Sequence, residues 1–200
     1  MPTTKTPALS LFGSDSIIKT TRAEVSHHEV FLDEPIGDPS EYRELISLLF
    51  TAPETDSFTM YINTPGGGLH STMAIVEAMK HTVASVMGIL MGETHSGGSM
   101  IAMWCNELAV LDSAEMMIHT ASFGTVGFTG NVKSHTDFTV LQVENIIDKT
   151  YEGFLTPAEI KKVKSGVELW FNAKQIRERM EKRMELRRSQ IEDKEVTEEE

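Results

Sequence analysis

Ser96, His119 and two glycine-rich turns are the parts of this sequence able to do chemistry together. Pro65-Gly66-Gly67-Gly68 follows one short apolar run, and Gly92-Glu93-Thr94-His95-Ser96-Gly97-Gly98-Ser99 follows the next. Both turns open segments with helical spacing. A strand that ends in glycines and starts a helix leaves backbone N–H groups without acceptors. Two such turns side by side would offer donors to a developing negative charge. The second turn also carries a hydroxyl. A serine is a weak nucleophile until a base takes its proton, and His119, at the end of a later apolar strand, is the base candidate. The chemistry this implies is acyl transfer at a serine beside an oxyanion hole.

Blander readings compete with this one. A serine before a helix is commonly an N-cap. Ser99 directly precedes the apolar helical run and is the better cap, which leaves Ser96 free. A histidine at a strand end often only holds structure. His95 is a poorer base than His119, because adjacent side chains on a strand diverge. His70, after the first turn, stands to line the site. His27-His28 and His135 lack metal-ligand spacing, so no metal and no cofactor are assigned. A phosphate-binding loop is excluded, since Leu69-His70 stands where Lys-Ser/Thr is required. Gly66 onward also fails the dinucleotide-binding pattern.

The elements that position these residues alternate along the chain. Glu29–Asp33 reads as a first strand. Asp38, Pro39 and Glu41 then predict a capped helix start, with Tyr42, Leu45, Ile46, Leu49 and Phe50 at helical spacing. Phe58–Ile62 alternates as a strand, and Leu69, Met73, Val76 and Met79 share a helix face. The continuous apolar run Val83–Met91 predicts a central strand covered on both sides. A short helix from Ser99 to about Cys105 and strands at Leu108–Leu111 and Met116–His119 follow. This alternation predicts a parallel sheet with right-handed crossovers, whose ligands bind at the carboxyl ends of the strands. Gly66, Ser96 and His119 all fall there. After a glycine-containing loop, a long helix is predicted over Val132–Phe154. Thr156–Glu159 and Asn172–Gln175 read as two further capping boxes, the second opening a charged helix from Lys174 to Arg188. Residues 1–28 read as a mobile N-terminal arm, 29–190 as one domain and 191–200 as an acidic, solvated tail.

Bulk properties narrow the partners. The 200 residues carry a net charge of −12, which argues against nucleic acid. Cys105 is the only cysteine and lies in an apolar run, so a packed thiol in a reducing, cytoplasmic setting is expected. The start of the chain lacks a secretory pattern, and Val83–Met91 is far short of the ~20 residues that cross a bilayer, so no membrane association is expected.

Three blocks, read together, resemble the proteolytic subunit of the Clp protease (the ClpP family). Tyr61-Ile62-Asn63-Thr64-Pro65-Gly66-Gly67 is similar to that family's Tyr-Ile-Asn-Ser-Pro-Gly-Gly. Met91–Gly98 is similar to its Met-Gly-x-Ala-Ala-Ser-Met-Gly nucleophile turn, and Met117-Ile118-His119 to its Met-Ile-His. Their order and separations match, and a weaker likeness runs from Val30 to about Ala173. The resemblance implies an α/β fold of the ClpP/crotonase type, built from repeated β-β-α units with a protruding handle helix at about 132–154. It implies a serine endopeptidase with Ser96 as nucleophile, His119 as base and the N–H groups of Gly67 and Gly97 as oxyanion hole. It further implies polypeptide substrates, homo-heptameric rings stacked as a tetradecamer, and an ATP-driven unfoldase partner.

Three departures stand out. The family's third catalytic residue is an aspartate shortly after the handle. Here Lys164 stands near that place and Glu168 is the nearest acid, one helical turn later. His95 and Gly97 replace the usual Ala and Met around the nucleophile. A charged helix replaces the family's usual close. The missing aspartate keeps a catalytically silent ring subunit, acting as an assembly partner, in view as an alternative. A crotonase-like acyl-CoA enzyme, using the glycine turns for a thioester enolate, is the other.

Overall fold

Residues 25–198 are described by a computed structural model, with side chains given through residue 189. Six strands form one sheet: β1 (His27–Leu32), β2 (Ser57–Thr64), β3 (Ser85–His95), β4 (Glu107–Val110), β5 (Glu115–Ile118) and β6 (Leu169–Asn172). The order is β1-β2-β3-β5-β6, with β4 also on β3. All pairings are parallel except β5 with β6. This is the expected mixed α/β architecture.

The six helices are α1 (Arg43–Thr51), α2 (Leu69–His81), α3 (Gly97–Ala102), α4 (Thr129–Tyr151), α5 (Pro157–Lys164) and α6 (Ala173–Glu198). Phe58, Met60 and Ile62 of β2 and Val86 and Leu90 of β3 turn into the core. Leu49, Ile75, Val76 and Ile101 from α1 to α3 are buried with them. No helix among the described residues is long and apolar enough to cross a membrane.

β3 runs four residues beyond the apolar stretch that announces it. Its first half pairs with β4 through Met87–Leu90, and its second half pairs with β5 through Glu93–His95. β5 thus takes over where β4 leaves, so Glu93, Thr94 and His95 are strand rather than turn. β1 likewise begins at His27, inside the segment expected to be an arm; residues 1–24 lie outside the described residues.

Asp38 does not cap a helix through its side chain. Pro39–Tyr42 forms a 3-10 turn in which the Glu41 N–H donates to the Asp38 carbonyl at 3.0 Å, so no box closes. The other two boxes form. Thr156 and Glu159 bond reciprocally, as do Asn172 and Gln175 at 3.0 Å each way. α4 starts and ends three residues earlier than predicted. At 1.5 Å per residue its 23 residues span about 35 Å. Only its C-terminal part is buried, at Val143, Ile147, Thr150 and Tyr151. α6 continues through Glu198, so most of the expected tail is helical in backbone. β6 has no counterpart in the sequence reading; its four residues lie between two helices and alternate only once.

Buried Arg183 ties α6 to the base of α4. It is 1% exposed, and its guanidinium donates to the Thr150 carbonyl at 2.8 Å. Burial away from any paired carboxylate lowers its pKa to about 10.

Candidate active site

The two glycine turns and His119 converge at the carboxyl ends of β2, β3 and β5. β2 ends at Thr64, β3 at His95 and β5 at Ile118, so Gly66, Ser96 and His119 project from one edge. Parallel strands in register bring their ends level, which is why residues distant in sequence meet here.

Gly66 makes the approach of the two turns sterically feasible. It adopts φ +88°, and a Cβ there would lie 2.6 Å from the Ser96 Cβ and 2.8 Å from the Gly97 nitrogen. No side chain fits. Ser96 itself has φ 51° and ψ −116°, the only positive φ at a non-glycine residue among the described residues. Such a conformation costs on the order of 1–3 kcal/mol and persists only where neighbours impose it. They do so here. The Ser96 N–H donates to the Met117 carbonyl at 2.8 Å, and the Ser96 carbonyl accepts from Ser99 Oγ at 2.6 Å and from the Met100 N–H at 3.2 Å.

Ser99 is therefore not the helix cap. Ser96 occupies that position, and its side chain makes no capping bond. Ser99 sits inside α3, fully buried, 2.7 Å from the Tyr151 hydroxyl. Its proton goes to the Ser96 carbonyl, so Tyr151 donates to Ser99 Oγ. Burial pushes the Tyr151 phenol above its ordinary range. This support beneath the turn was not apparent from the sequence, where Tyr151 is one more residue of the long helical segment.

His119 Nε2 lies 2.8 Å from Ser96 Oγ. Among the described residues, no acceptor lies within hydrogen-bonding distance of Nδ1. Glu168 does not meet His119; it is exposed and accepts from Trp170 Nε1 at 3.4 Å. Lys164 pairs with Asp148 of α4 at 2.6 Å. The place where an orienting acid was sought thus belongs to the α4–α5 contact.

The Gly97 N–H heads α3 and, by position, lacks an intrahelical acceptor. Gly67 forms a one-residue bridge with Ile36, whose own N–H and carbonyl bond to Gly66 and Gly68. The Gly67 N–H makes no bond to a described residue. Both donors border a cleft of about 430 Å³ that also contains Ser96, His119, Met100 and Met117. A larger hollow of about 640 Å³, between the base of α4 and α5, lies away from Ser96 and carries no reactive side chain. His70 is exposed and does not line the cleft. The Cys105 thiol is buried, and desolvation pushes its pKa up to about 12, which leaves it inert as a nucleophile. A hydroxyl, an imidazole in contact with it and two free N–H groups can together support attack on a carbonyl and hold the resulting oxyanion.

Comparison with known proteins finds a family and several relatives. A family model described as Clp protease matches residues 13–180. The chain is similar to the ATP-dependent Clp protease proteolytic subunit 1 of Streptomyces coelicolor, 33% identical over 112 residues, covering 54% of this chain and 51% of that protein. It is 32% identical over 129 residues to the ATP-dependent Clp protease proteolytic subunit of Streptococcus pneumoniae, covering 60% and 64%. The corresponding protein of Streptococcus pyogenes is 35% identical over 104 residues, covering 50% and 53%. The chain therefore spans between about half and just under two thirds of the length of these relatives.

Proposed function

This chain belongs to the Clp protease family, and on that premise we propose that it is a serine endopeptidase whose nucleophile is Ser96 and whose base is His119. The single observation that carries the reading is the 2.8 Å contact between His119 Nε2 and Ser96 Oγ, within a cleft bordered by two unused N–H groups.

In this mechanism Ser96 Oγ attacks the peptide carbonyl as His119 Nε2 takes its proton. The N–H groups of Gly67 and Gly97 hold the tetrahedral oxyanion. His119 returns the proton to the leaving amine, and a water activated by the same imidazole releases the acyl group. Loss of one oxyanion donor typically lowers turnover about 10²–10³-fold. Substrates are extended or unfolded polypeptides that fit the open cleft.

The assembly that goes with this reading is homo-heptameric rings stacked as a tetradecamer, fed by an ATP-driven unfoldase. Support comes from α4, where Phe138 is 62% and Leu141 55% exposed in the single chain. Contact with a second helix would cover them.

A second reading has one specific observation in its favour. With no acid on Nδ1 of His119, the chain would instead be a catalytically silent ring subunit. Labelling with a fluorophosphonate separates the two. The peptidase reading requires covalent modification of Ser96 in the folded protein and peptide hydrolysis that Ser96→Ala abolishes. A folded protein that is neither labelled nor active is a silent subunit.

A further inference from the structure

Glu93 and His95 lie two residues apart on β3 and so share a face of the strand. Glu115 of β5 stands directly opposite Glu93 in the parallel register. Like charges facing each other across strands repel. Among the described residues, no lysine or arginine pairs with either carboxylate; the one cross-strand contact is His95 Nε2 to Glu115 Oε1 at 3.4 Å. That contact lacks hydrogen-bond geometry, and Nε2 is left without a partner although the His95 side chain is only 9% exposed. A buried ring nitrogen without a partner is costly. Two facing carboxylates and an unpartnered imidazole nitrogen are the complementary halves of one deficit.

We propose that Glu93, His95 and Glu115 bind a divalent transition-metal ion. One ligand atom from each lies within 4.8 Å of the other two. Donors bound to one Zn²⁺ at about 2.0–2.2 Å sit roughly 3–4 Å apart, so the His95–Glu115 separation already fits and Glu93 needs only a rotamer adjustment. An imidazole nitrogen with two carboxylates suits Zn²⁺, Co²⁺ or Mn²⁺, whereas Mg²⁺ and Ca²⁺ favour all-oxygen sets. Water completes the coordination on the exposed side. The Trp170 ring, edge-on to His95 at 5.0 Å, covers the imidazole. The Glu93 N–H donates to Asn63 Oδ1 at 3.0 Å and fixes the backbone that carries the first ligand.

The ion clamps β3 to β5 one residue before Ser96. The next link between these strands is the Ser96 N–H bond to the Met117 carbonyl. Metal occupancy therefore braces the turn that holds the strained serine. The sequence does not suggest this grouping, because Glu115 joins His95 only through the sheet register.

The test is calorimetric titration of the full-length chain, freed of metal by chelator and dialysis, with Zn²⁺ and separately with Mg²⁺. Thermal unfolding and tryptophan fluorescence are followed in parallel. One Zn²⁺ per chain, a raised thermal midpoint and a change in tryptophan emission are expected. Binding weakens at least about tenfold in the double variant Glu93→Gln, Glu115→Gln, whose exposed, isosteric side chains leave the fold intact. Binding persists in His119→Ala, and Mg²⁺ binds far more weakly. The proposal is overturned if Zn²⁺ does not bind, if it binds the double variant as tightly as the native chain, if binding is lost in His119→Ala, or if Mg²⁺ binds equally well. None of these outcomes depends on whether Ser96 is catalytic.

Discussion

His119 Nε2 and Ser96 Oγ meet at 2.8 Å across 23 residues of sequence, while the other nitrogen of the same ring has no protein acceptor among the described residues. The first half of that relationship puts the proposed base in contact with the serine. The second leaves the imidazole free to choose its tautomer, because nothing holds the proton on Nδ1. Where the orienting acid of a triad is removed without disturbing its geometry, turnover falls about 10⁴-fold.

Ser96→Ala and His119→Ala are each expected to reduce hydrolysis of a fluorogenic peptide to background, with the double variant no worse than either single one. Residues that act as a unit lose their contribution together. Additive losses, measured as kcat/KM, would show that the two side chains do not share a step.

Gly66→Ala is expected to inactivate the site without touching a reacting group. The new Cβ would meet the Ser96 Cβ at 2.6 Å and the His95 carbonyl at 2.7 Å, at a backbone φ of +88°. The strain is on the order of 1–3 kcal/mol, and relief requires the two turns to part. Chemical denaturation should register the destabilisation, and loss of fluorophosphonate labelling should register the displaced serine. Full labelling at native stability would refute this account of the turn.

Elements with strong periodicity were readable from the sequence, as were the two turns. Val83–Met91 announces a central strand, but the expected cover on both sides is not met in the single chain: burial alternates along β3, with Val86 and Leu90 buried and Met87 36% exposed. Local chemistry at Thr156 and Asn172 specifies helix starts, since each box is closed by residues three apart. What escaped was set by tertiary partners. The extension of β3 to His95 depends on β5 replacing β4 along its edge. At Asp38 the helical start forms as a 3-10 turn, but its capping box does not close, because the Asp38 carbonyl takes the Glu41 N–H. Ser96 takes the cap position that Ser99 was expected to hold, because Ser99 is drawn inward to Tyr151, 52 residues away. Glu168 lies one turn beyond Lys164 in sequence, but its carboxylate faces Trp170, and that direction is a property of β6 rather than of spacing.

Replacing both Phe138 and Leu141 with Asp is expected to reduce the size of the assembly while leaving the fold intact. Both side chains are more than half exposed in the single chain, so charge there costs the protomer little. At a helix–helix contact the same charges would face apolar surface and each other. Fully burying one such side chain contributes about 1.5–3 kcal/mol, and this is forfeited on every protomer. Native mass measurement should then find species smaller than the native assembly, with an unchanged far-ultraviolet dichroism spectrum. An assembly of native size would show that α4 makes no such contact.

Glu159 ties stability to pH in a stated direction. Its carboxylate accepts from Arg179 at 2.7 and 3.0 Å and from the Thr156 N–H at 2.8 Å. The Arg179 bonds are the main cause of a pKa lowered from 4.5 to about 2. Because the folded value lies below the unfolded one, the group's contribution is complete above about pH 4.5. It declines as the pH falls from there towards about 2. Glu159→Gln removes the charge but keeps a capping side chain. The variant should therefore be less stable than the native chain at pH 7, by about 1 kcal/mol or less for a partly exposed pair. The difference should narrow below pH 4.5 and vanish near pH 2. Urea unfolding of both proteins at pH 7, 4 and 3 tests this, and a gap that stays constant across the series would mean that the Arg179 pair does not carry the linkage.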